Sequence, residues 1–507
     1  MSRFRRTAVL AAVFVCAACG LVYELALVAL GSYLIGDTAA QASIVLGVMV
    51  FAMGLGALAA KPLQKRALAA FAWIELALAL FGGLSVLALY AAFAYLDLYA
   101  PALVAMALLL GALIGAEIPL LMVLLQRIRA QDAGSAVADL FAADYVGALL
   151  GGLAFPFLLL PVFGQLRGAL IVGAVNAVVG LTVVVAVFRR DLARRGGTAL
   201  AAGALAVLAV LGTCYYYSTK FEVTARQQLY ADPVVFAERS RYQQIVLTQS
   251  LDGSDVRLFL NGDLQFASID EYRYHEALVH PLLAGARGSV LILGGGDGLA
   301  LREVLKYPDV TAVTEVELDP AVIRLARTDP RLHALNRNAF ADARVHLLNL
   351  DAFAWLREQS ARFDAIVVDM PDPDETATAK LYSVEFYAMV RRALAPGGRM
   401  VVQSGSPYFA PREYWCVAAT LAAAGLAAVP YHVDVPSFGD WGFFLAAEGA
   451  PPALTLRPPP EPLRFLDADV LRAASVFPAD RRRVDVPPST LMDPKIMEYA
   501  RQEWKGY

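Results

Sequence analysis

Up to Ser218 the apolar positions fall in blocks of about 20 residues, the length a helix needs to cross roughly 30 Å of hydrocarbon. About seven such blocks can be marked, near 8–30, 41–60, 67–92, 99–126, 145–163, 168–188 and 198–217, with short polar separators between them. The pattern predicts membrane-spanning helices. From Tyr242 the period changes to two. QQIVLTQSL, VRLFL and DLQFAS, separated by Asp252-Gly253 and Asn261-Gly262, read as strands joined by tight turns, hence a small antiparallel β-domain. The acidic, aromatic stretch Asp270–Leu283 reads as a helix. Beyond it strand and helix alternate: VLILG, LALREVLK, TAVTEVE, PAVIRLART, RVHLLNLD, AFAWLREQ, FDAIVVD, YSVEFYAMVRRAL and RMVVQSG. Such alternation implies a mainly parallel sheet with crossover helices on both faces, and a ligand at the carboxyl ends of the strands.

Composition supports the division into two halves. Hydrophobic residues make up 58% of the 507, charged residues 18%, and mean hydropathy is +0.54, outside the range of soluble domains. MSRFRR precedes a first block too long for a signal peptide and without a cleavage site, so a retained signal anchor is expected. Basic residues occupy alternate separators: Arg3, Arg5 and Arg6, then Lys61, Lys65 and Arg66, then Arg127 and Arg129, then the arginines between 189 and 195. The positive-inside rule makes these separators cytoplasmic, and an odd number of spans then puts the second half outside. Four cysteines suggest no disulfide framework, and Cys16 and Cys19, within an apolar block, read as small packing residues. Five histidines without ligand spacing predict no metal site, and with a net charge of −3 no nucleic-acid partner is expected.

The glycines of GGGDG, Gly294–Gly298, follow the first strand of the alternating series. A phosphate-cradling loop needs Lys-Ser or Lys-Thr next, whereas Leu299, Ala300 and Leu301 stand there. A dinucleotide fingerprint needs glycine at its sixth position, which is Leu299, and Asp297 would oppose phosphates. Gly294, Gly296 and Gly298, with Glu317 closing the next strand, instead suit an adenosine that carries no phosphates. The glycines admit ribose and sulfur against the backbone, and Glu317 can accept both ribose hydroxyls. S-adenosylmethionine or a relative fits, and its cationic end gives Asp297 a purpose. A tight turn with nothing bound is the plain alternative.

Asp297, Glu317, Asp351, Asp369 and Asp372 all fall at predicted strand ends. They could be a solvated acidic rim, but like charges converging on a cleft cost energy unless a cation offsets them. The second substrate is therefore expected to be a cation, with a polyamine as the leading candidate and amine attack beside a sulfonium as the reaction. An amine with a pKa near about 10.4 must give up a proton, at a cost of roughly 4–5 kcal/mol near pH 7. Asp369 is the expected acceptor. A methyltransferase would keep the same sheet and glycine loop, and a non-catalytic polyamine sensor or transporter would keep the binding; both stay open.

GGGDG, VELD at Val316–Asp319, DEYRYHE at Asp270–Glu276 and DMPDP with LYSVEFY at Leu381–Tyr387 together resemble the spermidine synthases, aminopropyltransferases that use decarboxylated S-adenosylmethionine. The similarity runs from about Tyr242 to Phe444, and the N-terminal half, with LVYEL at Leu21–Leu25, is similar to the multi-pass extension of some bacterial members. The resemblance implies a multi-pass α-helical membrane domain over 1–218 in a bacterial cell membrane. A small β-hairpin domain with its connecting helix would cover 219–285, and a Rossmann-like α/β domain of the S-adenosylmethionine-methyltransferase type 286–448. A proline-rich extension would complete the chain over 449–507. It further implies transfer of the aminopropyl group to putrescine, giving spermidine and methylthioadenosine, with no prosthetic group. By resemblance, Gln243 and Gln265 line the nucleotide and amine pocket, and Tyr274 contacts the polyamine. Asp297 would hold the aminopropyl ammonium, Glu317 the ribose and Asp351 the adenine amino group, with Asp369 as proton acceptor and Asp372 as polyamine anchor. Two departures, DPDETATAK where the family places glycine-proline after Asp-Pro, and Phe438 in place of a tyrosine, concern the acceptor end and leave the acceptor amine open. The expected partners are the bilayer, a small polyamine and further copies of the chain, as a homodimer or homotetramer through the second half. Glu24, Glu75 and Glu117 lie inside predicted spans, where an ionised group costs at least about 2.5 kcal/mol, and a cation route or polyamine contact coupled to the second half is an expectation beside that of packing links.

Overall fold

The computed structural model describes residues 2–35, 38–128, 133–182 and 194–504. The chain divides into two compact units, Met1–Ala231 and Asp232–Tyr507.

The first unit is helical: α1 (Ser2–Ile35), α2 (Thr38–Ala59), α3 (Ala67–Ala91), α4 (Tyr99–Ile128), α5 (Ala133–Ala154), α6 (Leu160–Thr182) and α7 (Arg194–Gln227). Helix α7 continues through position 218, where the sequence suggested a boundary. Among the described residues six helical stretches are long and apolar enough to cross a bilayer, and one of them, Val137–Thr182, contains both α5 and α6. That stretch holds the block expected at 145–163 and the part of 168–188 up to Thr182, the rest lying outside the described residues. A straight helix of 46 residues would measure about 69 Å, more than twice the hydrocarbon thickness of about 30 Å. Gly164 breaks it with φ 73° and ψ 179°, angles no helix contains. The helices meet through glycine. Added Cβ atoms would approach the Ala112 carbonyl oxygen to 1.9 Å from Gly56 and the Met53 carbonyl oxygen to 2.0 Å from Gly115, which brings α2 and α4 into backbone contact. Gly147 and Gly151 do the same for α5 against Phe14 and Ala18 of α1. Large apolar side chains such as Phe157, Leu149 and Leu205 stay exposed on the outside, a surface suited to lipid rather than water.

The second unit opens with a four-stranded antiparallel sheet of β1 (Val234–Arg239), β2 (Gln244–Gln249), β3 (Val256–Leu260) and β4 (Asp263–Ala267), in sequence order. Its β3–β4 turn holds Asn261 and Gly262 at φ 54° and 104°, the positive angles that an Asn-Gly hairpin requires. Helix α8 (Glu271–Val279) leads into a seven-stranded sheet of β5 (Ser289–Gly294), β6 (Ala312–Glu317), β7 (Val345–Asn349), β8 (Phe363–Asp369), β9 (Leu394–Gln403), β10 (Leu426–Val435) and β11 (Gly439–Glu448). The order is β10-β11-β9-β8-β5-β6-β7, with β5 to β9 parallel and the β10–β11 hairpin antiparallel at one end. The apolar runs Val290–Leu293 and Ala365–Val368 are fully buried, as strands covered on both faces must be. Order reverses around β5, whose neighbours are β6 and β8, and this places a crevice at the carboxyl ends of those strands. The proline-rich C-terminal stretch is part of this unit. Glu276 of α8 accepts hydrogen bonds from the backbone N–H groups of Arg464, Phe465 and Leu466, and the helix Lys495–Glu503 packs on the helix Pro411–Ala423.

Candidate active site

The carboxyl end of β5 turns sharply through Gly294, Gly295 and Gly298, which sit at φ 84°, 71° and 81°. Gly294 pairs with Asp369 across β5 and β8, so closely that an added Cβ would lie 2.0 Å from the Asp369 carbonyl oxygen. At Gly296 a Cβ would lie 2.8 Å from Cγ of Glu317. The glycines thus let backbone and acidic side chains share one small space, and Gly298 opens helix α9 (Leu299–Leu305).

Asp297 Oδ1 accepts from the Leu299 backbone N–H at 2.8 Å, and burial, opposed by His275 and reinforced by Asp369, pushes its carboxyl up to about 6. Glu317 ends β6, accepts from the Asp319 backbone N–H at 2.8 Å and is raised by burial to about 7. Asp369 ends β8. Its Oδ1 accepts from the Tyr274 hydroxyl at 2.6 Å, its Oδ2 faces Gly295, and burial raises it as well. Asp372, three residues on, accepts from Gln403 Nε2 at 3.2 Å and rises to about 6 through burial and the neighbouring Asp374. Tyr274 itself is 8% exposed, and its ring packs against Phe438 and Phe443. Asp297, Glu317, Asp369, Asp372 and Tyr274 therefore meet in one cleft.

Asp351 is placed differently. It caps the helix Ala352–Glu358 through the N–H groups of Phe353 and Ala354, and its Oδ2 accepts from Lys380 at 2.8 Å. Burial pushes its carboxyl up, but Lys380 and the helix N–H groups outweigh this and hold it below the usual carboxylate range. Both oxygens are thus engaged within the chain. Gln243 lies in the turn before β2, whose Ser240 hydroxyl donates to Asp319 at 2.6 Å, two residues beyond Glu317. Gln265 is half-buried on β4, its Nε2 donating to the Asp263 carbonyl.

Several neighbours escaped the sequence reading. His275, 2% exposed, sits beside Tyr274 with Nδ1 2.9 Å from Glu271 Oε2, and Arg302 holds both Glu271 oxygens at 2.9 Å. Burial lowers the imidazole pKa, but Glu271 with Asp297 and Asp369 raises it beyond compensation, so these carboxylates favour the charged form of the ring. Asp263 of β4 keeps a solvent-exposed face, yet the protein mass around it and the acids Asp374, Asp372 and Glu375 push its carboxyl up to about 7, so the small sheet brings a further acid to the Asp372 loop. From the far end of the chain, Trp504 Nε1 donates to the buried Glu413 at 2.8 Å, and its ring lies 6.3 Å from that of Trp441. Trp441 in turn donates to Gln403, the partner of Asp372, while Arg501 donates to the Asp374 carbonyl at 2.9 Å. Trp504→Phe keeps an aromatic side chain, smaller than the indole, but strips Glu413 of its donor; the expected result is a rise of about 5- to 10-fold in KM for the amine, with KM for the nucleotide unchanged. Steady-state titration of each substrate checks it.

The raised carboxyls carry a sign. Their folded values, about 6 for Asp297 and Asp372 and about 7 for Glu317, lie above those of an unfolded chain, near about 4. The folded state therefore holds protons that the unfolded state has released, and stability falls as pH rises from about 4 through about 7. The thermal midpoint of the substrate-free second unit is expected to fall over that range, and added polyamine to restore it at the upper end. Scanning calorimetry with and without polyamine measures both.

A sharp glycine turn at the end of β5, an acid beside it at the end of β6 and the switch point of a mainly parallel sheet together define a Rossmann-like, nucleotide-binding class of fold. The profile of the spermine/spermidine synthase domain matches residues 271–457. Polyamine aminopropyltransferase 1 of Streptomyces coelicolor is 60% identical over 100% of this chain and 96% of its own length, and the polyamine aminopropyltransferase of Mycobacterium tuberculosis (H37Rv) is 49% identical over 98% and 97%. A crystal structure of spermidine synthase in complex with the transition state analogue AdoDATO is 25% identical, covers 48% of this chain and 85% of that one, and superposes with a TM-score of 0.44. The chain belongs to the polyamine aminopropyltransferase family.

Proposed function

We propose that this protein transfers the aminopropyl group of decarboxylated S-adenosylmethionine to putrescine, giving spermidine and methylthioadenosine. The observation that carries this reading is the Tyr274–Asp369 pair at the mouth of the glycine loop, with Asp297 and Glu317 on one side and Asp372 on the other. Glu317 takes the ribose hydroxyls and Asp297 the ammonium of the aminopropyl group. Gln243 lines the nucleotide side, Gln265 and Tyr274 the amine side, and Asp372 anchors the distal ammonium of the acceptor. Asp351 takes the adenine amino group on the acceptor site of Oδ2 that Lys380 leaves open, while Oδ1 caps the helix Ala352–Glu358.

The amine nitrogen attacks the aminopropyl carbon next to sulfur. A C–N bond forms, the C–S bond breaks, and its electron pair neutralises the sulfonium. The proton released from nitrogen passes to Asp369, whose orientation the Tyr274 hydroxyl fixes. Burial favours this acceptor because a carboxylate with a raised pKa is the stronger base. Most of the rate then comes from holding nitrogen and sulfonium carbon in line. Detergent-purified protein incubated with decarboxylated S-adenosylmethionine and, separately, putrescine, spermidine or agmatine should yield methylthioadenosine and spermidine from putrescine by mass spectrometry. Methylated amine from S-adenosylmethionine would instead establish a methyltransferase.

The six apolar stretches hold the protein in a bacterial cell membrane. Val137–Thr182 crosses twice by folding back at Gly164, which keeps every basic separator on the cytoplasmic side and puts the catalytic unit outside. Accessibility tags at Tyr507 and in the 189–195 segment test this, and a cytoplasmic Tyr507 overturns it.

A further inference from the structure

Four helices of the first unit bring polar side chains to one buried point. Glu75 of α3 is 0% exposed and Glu117 of α4 is 7% exposed. Glu117, Cys16 of α1 and Asn176 of α6 approach the Glu75 carboxylate, and Tyr23 of α1 stands beside both acids. Glu24, the other acid singled out in the sequence, is partly exposed and outside this group, whereas Asp144 of α5 also acts on Glu117. No donor meets either Glu75 oxygen with full hydrogen-bond geometry among the described residues, and the Tyr23 hydroxyl and Asn176 Oδ1 also lack a partner, although Cys16, Glu117 and Asn176 stand close enough to Glu75 to act on it as hydrogen-bonding neighbours. Asn176 spends only its Nδ2, 3.4 Å from the Glu75 carbonyl.

These side chains are not free to turn away. A Cβ on Gly82 would lie 2.6 Å from the Tyr23 ring, and a Cβ on Gly180 would lie 3.0 Å from the Glu75 Cβ, so both side chains fill space that these glycines leave. Unpaired oxygens in a water-free interior are costly, so a chain that retains four of them in one place has a use for them. All four atoms can accept a hydrogen bond, and no lysine, arginine or histidine is among the groups that act on either acid. Two carboxylates facing each other in low dielectric also call for positive charge. A primary ammonium supplies both needs, with three N–H donors, one charge and no acceptor of its own.

We propose that the first unit binds a primary alkylammonium between Glu75, Glu117, Asn176 and Tyr23, at a site separate from the catalytic cleft. A polyamine is the natural occupant, a choice that rests on the activity proposed above. The protein would thus hold its acceptor or product within the apolar helices as well as in the enzyme.

Equilibrium dialysis of the full chain in detergent with radiolabelled putrescine tests this. Wild type is expected to bind two molecules per chain, and Glu75→Gln and Glu117→Gln one, with turnover retained; butylammonium, which has a single amine, should displace the second. Tyr23→Phe removes a hydroxyl that has no partner to lose, so it leaves folding intact and should weaken the second site roughly tenfold. Wild-type binding of one putrescine per chain overturns the proposal, as does unchanged stoichiometry in Glu75→Gln. Displacement of the second putrescine by equimolar sodium would overturn it in favour of a metal ion. A protonated-carboxyl infrared band, lost in Glu75→Gln and insensitive to putrescine, would overturn it in favour of a shared proton. Turnover is read in the same samples, so failure of the enzymatic reading and failure of this one are separate results.

Discussion

Asp369→Asn is expected to lower kcat by about 10²- to 10⁴-fold, the span that removal of a positioned proton acceptor commonly costs. Asparagine has the size of aspartate and can still meet the Tyr274 hydroxyl, 2.6 Å away in the wild type, so the strand end and the cleft keep their shape. It cannot take a proton from the attacking amine. The loss therefore belongs in kcat, with KM for the nucleotide nearly unchanged, because Asp297 and Glu317 still meet their own partners, the N–H groups of Leu299 and Asp319. The pH profile gives a second signature. Wild-type kcat should fall on acidification through a pKa above the ordinary carboxylate range, since burial raises Asp369, and the variant should lose that limb. Single-turnover rates across pH, with thermal midpoints as a folding control, decide the matter. A variant that kept more than about a tenth of the wild-type rate would move the proton to another group, with Asp372 the next nearest choice along the same loop.

The sequence carried the parts of this arrangement that depend on local periodicity. Parallel strands end on one edge, so once VLILG, TAVTEVE and FDAIVVD read as neighbouring parallel strands, Asp297, Glu317 and Asp369 had to share that edge. The two tight-turn dipeptides gave the small sheet for the same local reason. The β10–β11 hairpin was not read, because Pro430 and the glycines at 439 and 442 interrupt its alternation, and its pairing from Leu426 to Glu448 is completed only by β9 alongside. Distance in the chain hid the rest. Arg302 reaches Glu271 over 31 residues and Trp504 reaches Glu413 over 91, so neither partner marks the other in the sequence. The block pattern in turn gave the apolar helices and the gap between 163 and 168 in which Gly164 breaks the helix, whereas the backbone angles of that break are not encoded in composition.

Gly294→Ala should be the most damaging small substitution in the catalytic unit. Alanine at φ 84° pays the left-handed penalty of about 1–2 kcal/mol. Its methyl would also stand 2.0 Å from the Asp369 carbonyl oxygen and 2.9 Å from that carbonyl carbon. These are backbone atoms of the paired strand, which cannot swing aside as a side chain could, so β5 and β8 must part where Asp369 is held. We expect a loss of roughly 3 kcal/mol or more in the stability of this unit, and turnover lowered well beyond what the surviving folded fraction explains. Gly397→Ala separates the two causes. Gly397 has φ 77°, yet nothing lies within 4 Å of the Cβ it would gain, so it bears the conformational penalty alone and should keep its turnover. Thermal midpoints and turnover of both variants, measured side by side, isolate the close approach of β5 to β8. Equal behaviour of the two would mean that the glycine loop needs only its turn and not the contact that brings Asp369 to the nucleotide.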